Sequence, residues 1–151
     1  MKMTMDIDLS LPISTEQLVP HRPPILLVNS IIDFKGETGI IETVIEPDNI
    51  FLGADGSLPE VAMIEILAQA SAAVKGYSDL KQGNDIKKGF LVDIRRTIFS
   101  GKCYKGEVLH SSIEIAKSFS GFSVVNGRLD RAGDELATGT FKLWVPEDNR
   151  D

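Results

Sequence analysis

From residue 58 to 74 the chain reads Leu-Pro-Glu-Val-Ala-Met-Ile-Glu-Ile-Leu-Ala-Gln-Ala-Ser-Ala-Ala-Val, with almost no polar side. A helix that is apolar all round is buried rather than laid on a surface. The rest of the fold must therefore surround it. Ser57 with Glu60 three residues on forms a capping box, and Pro59 falls in the first turn, where a missing N–H costs nothing. The spacing predicts a helix from 58 to about 77, with Gly76 or Gly83 as its stop. Ile64, Leu67, Ala68 and Ala72 should be among its least accessible residues. Glu65 breaks the pattern. A carboxylate at mid-helix in such a place loses hydration worth several kcal/mol unless it is paired, hydrogen-bonded or protonated. It is a candidate acid/base group, or else a side chain that reaches solvent or caps a neighbouring backbone group.

The flanking segments read as strands. Ser14-Thr-Glu-Gln17 fits an N-cap with Gln three residues on, so a short helix should run to Pro20. Residues 25–28 and 31–32 lie in a β-rich stretch ended by the turn Lys35-Gly-Glu-Thr38, and 38–46 returns as the second arm of a hairpin. After a polar loop at 79–85, expected to be mobile, strands are predicted at 90–99, 106–118, 121–130 and 135–145, the last two joined by Arg131-Ala-Gly-Asp134. The class is α+β: one domain over 1–151, an antiparallel sheet wrapped around one long buried helix, with 1–10 and 147–151 loose. Such a sheet leaves an edge strand, and pairing two subunits hides it, so a two-fold dimer is expected.

Composition narrows the chemistry. The net charge of −6 argues against nucleic acid as the main partner. Residues 86–131 nevertheless hold nine basic side chains and four acidic ones, a zone that suits an acidic partner or a phosphate, or simply a solvated face. Arg95 and Arg96, adjacent on a strand, should point to opposite faces. No apolar run spans a bilayer, and the first ten residues carry acids where a signal peptide needs an apolar stretch, so a cytoplasmic protein without membrane contact is expected. One cysteine, Cys103, excludes an internal disulfide. Basic neighbours could lower its pKa, but no catalytic companion is visible. Two histidines make a metal centre unsuitable, and Gly53-Ala-Asp-Gly56 matches no phosphate loop, so neither metal nor cofactor is expected. His110, on the polar side of its strand, should be exposed.

Two segments carry a resemblance. Leu18-Val-Pro-His-Arg-Pro-Pro-Ile-Leu-Leu-Val28 resembles the opening "PHR-x-P-x-LLV" of hotdog-fold β-hydroxyacyl-acyl carrier protein dehydratases. The 58–69 segment resembles their "PGV-x-x-x-E-x-x-AQ" helix. The resemblance implies that Glu65 is the carboxylate of the dehydratase pair, helping the β-hydroxyl leave, and that Gln69 shares its face one turn on. It also implies a partner histidine in a "G-H-F-P" loop, supplied by the other subunit. Here the loop reads Phe51-Leu-Gly-Ala-Asp-Gly-Ser-Leu-Pro59. Phe51 and Gly53 match, but Ala54 stands in the histidine's place. This shortened version resembles the dehydratase-like branch associated with aryl polyene pathways, similar to one half of a paired dehydratase.

Phe51, Gly53, Ala54, Gln69 and His21 are then the residues expected to meet substrate, and Glu65 and Asp55 to do chemistry. Asp55 is the titratable residue nearest the missing histidine. It serves as a general base if its pKa is raised, or it closes an Asx turn before the helix. For His21 the reading favours a structural role, its imidazole tying backbone at the helix–strand joint. Three functions stay open. One is dehydration of a 3-hydroxyacyl thioester on acyl carrier protein or coenzyme A. Another is a degenerate hotdog subunit paired, as homodimer or heterodimer, with an active one. The last is an acyl thioesterase. An enoyl product marks the first, rescue by a histidine-bearing partner the second, a hydrolysed thioester the third.

Overall fold

The computed structural model describes residues 8–87 and 89–146. The expected loose ends therefore fall mostly outside the described residues. A short β1 (Ile13–Ser14) leads into a 3-10 turn at Thr15–Gln17, then β2 (Ser30–Lys35), β3 (Thr38–Val44), the helix α1 (Glu60–Lys81), and β4 (Phe90–Phe99), β5 (Val108–Phe119), β6 (Phe122–Arg131) and β7 (Asp134–Trp144). The seven strands form one antiparallel sheet in the order β1-β2-β3-β5-β6-β7-β4.

The period-two pattern explains the curl. Leu109, Ser111, Ile113 and Ile115 of β5, Val125 and Leu129 of β6, and Ala137, Phe141 and Leu143 of β7 all turn inward and are buried. They meet Ala62, Ile66, Leu67, Ala70 and Val74 of α1. Ala132 and Gly133, both at positive φ, make the two-residue turn between β6 and β7, the geometry whose twist suits a hairpin.

The structure differs from the sequence expectation at several places, each for a local reason. The capping box does not form. The Ser57 N–H and hydroxyl both donate to Asp55 Oδ1, and Ser57 bridges Tyr104 as extended chain, so α1 begins after Pro59 with no side-chain cap. The helix runs beyond 77 and past Gly76 and ends just before Gly83 (φ +78), the second of its two expected stops. A Cβ at Gly76 would lie 2.6 Å from the Leu18 carbonyl oxygen, so this glycine serves a close approach and not a stop. The short helix before Pro20 is a single 3-10 turn capped by Ser14. Residues 25–28 join no strand, and β2 starts at Ser30.

The largest departure concerns α1 itself. Leu67 is fully buried, but Ile64, Ala68 and Ala72 are only partly so. With Val61 (63% exposed), Glu65, Lys75 and Asp79 they form a seam along the helix that the sheet does not cover. The edge strand β4 is likewise bare: Leu91, Val92, Ile94 and Ile98 are exposed. One chain wraps its helix on three sides and leaves the fourth open.

Candidate active site

Gln69 organises the site. It is 1% exposed, yet every polar atom of its amide is used. Its Oε1 accepts from the Leu27 N–H at 2.8 Å. Its Nε2 donates to the Ile25 carbonyl at 2.9 Å and to Glu65 Oε1 at 2.8 Å. Of the backbone groups at 25–27 that looked ready for a strand neighbour, this side chain satisfies the Leu27 N–H and the Ile25 carbonyl, and the Ile25 and Leu26 N–H groups donate to the Arg22 carbonyl. The same amide fixes the Glu65 carboxylate one helical turn away. Oε1 receives that hydrogen bond, and Oε2 is the carboxylate oxygen left without one among the described residues.

Glu65 opens into a cavity of about 170 Å³, whose walls include His21, Gln69, Ala72, Gly89 and Leu91. Lys75, held by Asp79 at 2.6 Å, closes one side. A groove of about 450 Å³ adjoins it through Lys75, Asp79, Lys87 and Val145, reaching the β5–β6 turn. The cavity lies along the uncovered seam of α1, and Glu65 lines it there.

The other expected site residues lie elsewhere in the chain. Phe51, Gly53, Ala54 and Asp55 sit in the loop before α1, none of them in the Glu65 cavity. Asp55 is exposed and forms the Asx turn; its hydrogen bonds from the Ser57 hydroxyl and N–H lower its carboxyl pKa, against the rise a base at neutral pH needs. His21, by contrast, lines the Glu65 cavity. Among the described residues its ring ties no backbone: Nδ1 is buried without a hydrogen-bond partner.

Three further sequence expectations change. His110 is not simply exposed; its Nε2 lies 3.3 Å from Glu42 Oε2 on the neighbouring strand. Burial, with Glu107 nearby, pushes the Cys103 thiol up to about 11, so its basic neighbours do not activate it. Cys103 should therefore resist iodoacetamide at pH 8 in the folded protein and react once denatured, as mass spectrometry of the labelled chain would register. Arg95 and Arg96 do not diverge: both line one hollow with Asn126, Thr140 and Lys142. Arg96 takes φ +53 and the register slips between Arg95 and Ile98, so the alternation breaks there.

An antiparallel sheet curled around one helix, with a clamped carboxylate at mid-helix beside a cavity, defines a hotdog protein of the dehydratase-like class. Comparison with known proteins agrees. The family model described as ApeP-like, ApeP dehydratase, matches residues 13–151, and the chain belongs to that family. The 3-hydroxyacyl-acyl carrier protein dehydratase FabZ of Ruegeria sp. is 27% identical over 143 residues, covering 90% of this chain and 89% of that protein. FabZ of Anaeromyxobacter sp. (strain K) is 30% identical over 145 residues, 91% and 92% of the two chains. Among solved structures, the dehydratase heterocomplex ApeI:P from Xenorhabdus doucetiae superposes with TM-score 0.82 at 22% identity over 90% of this chain and 93% of that one. A hypothetical thioesterase with coenzyme A from Streptococcus pneumoniae matches with TM-score 0.61 at 15% identity, over 77% and 84%. Both likenesses speak for the fold alone.

Proposed function

We propose that this chain is the acid-bearing subunit of a composite dehydratase acting on a 3-hydroxyacyl thioester carried by acyl carrier protein or coenzyme A. The observation that carries this reading is the Glu65–Gln69 pair, clamped at a cavity that opens on the uncovered seam of α1. Glu65 gives a proton through Oε2 to the β-hydroxyl. The C–O bond breaks and water leaves. The α-proton goes to a base, and its C–H electrons become the new double bond. The base comes from a second hotdog subunit, because Ala54 occupies the histidine's position in this chain and two copies would bring none there. Asp55 shapes the loop. A heterocomplex among the structural relatives supports the same arrangement. Arg95 and Arg96 add a basic hollow suited to an acidic carrier.

The direct test is an assay of the purified chain on a 3-hydroxyacyl carrier-protein thioester, alone and with a histidine-bearing hotdog partner. Enoyl product that depends on the partner supports the proposal. Free acid and free thiol would point to a thioesterase and overturn it. Pairing through β4 makes a separate prediction. Ile94→Asp together with Ile98→Asp puts charge on its exposed apolar positions. Losing two interface anchors worth about 2 kcal/mol each should weaken pairing by on the order of a thousandfold. Sedimentation would then show monomer at micromolar concentration; an unchanged assembly would place the interface elsewhere.

A further inference from the structure

The Glu65 cavity contains a hydrogen-bond donor to which the dehydratase scheme gives no work. His21 lines that cavity. Its Nδ1 is buried and has no hydrogen-bond partner, and no hydrogen bond engages the ring among the described residues. Nε2 is therefore the ring nitrogen left accessible.

The two neutral tautomers are not equivalent in such a setting. With the proton on Nδ1, a buried N–H would have no acceptor, an arrangement that folded proteins rarely tolerate. With the proton on Nε2, the donor is accessible and only a lone pair is orphaned. The favoured form thus presents Nε2–H and has no lone pair available there to take a proton.

The segment holding His21 is fixed on both sides. The Leu18 carbonyl packs against Gly76, and Gln69 grips the backbone at Ile25 and Leu27. Between them, Arg22 Nη1 donates to the carbonyls of Val19 and His21. A donor held this way needs no reorganisation when charge develops near it. Of the other side-chain donors on the wall, the Gln69 amide is fully used, Lys75 gives a hydrogen bond to Asp79, and Lys87 has interactions of its own.

We propose that His21 acts in the same chain as Glu65 as a neutral hydrogen-bond donor, through Nε2–H, to the thioester carbonyl oxygen of the substrate. Resting on the dehydratase reading of the site, this assigns the two substrate oxygens to two residues. Glu65 serves the β-hydroxyl, and His21 serves the carbonyl oxygen, which gains negative charge as the α-proton leaves. No proton is transferred to His21.

Two measurements test it, one free of turnover. The chain has two histidines, so nitrogen-15 resonances of His21 are assigned by their loss in His21→Gln. The expected spectrum at neutral pH shows an unprotonated Nδ1 and a protonated Nε2. The opposite tautomer overturns the proposal, whatever reaction the protein catalyses. The second measurement uses the assembled enzyme. His21→Gln keeps an N–H near the place of Nε2 but cannot act as a base. His21→Ala removes the donor. The expected result is a kcat loss of about 10²–10³ for His21→Ala, the usual worth of one such donor, with His21→Gln within about tenfold of wild type. Equal, deep losses in both variants would make His21 a base, and no loss in His21→Ala would make it a bystander; either overturns the donor role. Should His21→Ala fail to fold, the spectrum and the pH profile of His21→Gln decide. A profile keeping the wild-type acid limb supports a donor, and loss of that limb supports a base. Turnover unaffected by Glu65→Gln would instead refute the dehydratase reading while leaving the tautomer assignment standing.

Discussion

Glu65→Gln should lower turnover of the assembled enzyme on a 3-hydroxyacyl thioester by about two to four powers of ten, the usual contribution of positioned acid–base help. The substitution is conservative in shape. Gln69 Nε2 can still donate to the amide oxygen that replaces Glu65 Oε1. What disappears is the capacity of the second oxygen to give or take a proton. Folding should survive, since a neutral amide is easier to dehydrate than a carboxylate, and thermal melts should differ little. Enoyl formation measured beside a melting curve separates the two effects. Wild-type dehydration that persists in the variant would make Glu65 a structural acid and remove the proposed site.

Gln69→Leu should be the most destabilising single change near the site. It has similar bulk and suits a buried helix position, so packing is not the issue. The Leu27 N–H and the Ile25 carbonyl lose their partner, and Glu65 loses its anchor. A buried polar group left unpaired costs about 1–3 kcal/mol. Two such groups give roughly 2–6 kcal/mol, or a fall in Tm of about 4–24 °C for a chain of this size. Amide hydrogen exchange at Leu27 should accelerate in step. An unchanged Tm with a still-protected Leu27 would mean that the clamp is dispensable.

These two residues mark what a linear reading can and cannot reach. Glu65 stood out because a charge interrupts an apolar helix, a signal local in sequence. Gln69 could be paired with it by helical spacing, but its grip on residues 25–27 joins positions more than forty apart. That contact also explains why 25–28 imitated a strand: an apolar run shows the need for backbone partners and not where they come from. The strands from β5 to β7 were legible because each alternates with period two between clear turns. The open seam of α1 was not. Ile64, Ala68 and Ala72 look like core residues whether their own chain or another covers them. Ser57 misled for a different reason, since Asp55 two residues back competes for its hydroxyl. Arg95 and Arg96 did so because a register slip has no composition signal. His21 was visible as a residue, but the orphaned ring nitrogen that gives it meaning exists only in three dimensions.

The bare edge of β4 has a thermodynamic consequence. A subunit that gains its last apolar cover from a partner does not have a single melting temperature. Its apparent stability grows with the logarithm of the partner concentration, by about 1.4 kcal/mol for each tenfold excess over the dissociation constant. Leu91, Val92, Ile94 and Ile98 would then act as a sensor of supply. When the partner is scarce, the unpaired chain is the less stable species, and proteolysis of its unfolded fraction removes the surplus. On the proposed pairing, mass action and proteolysis together would thus hold the two subunits near equal amounts, without any regulator of their synthesis.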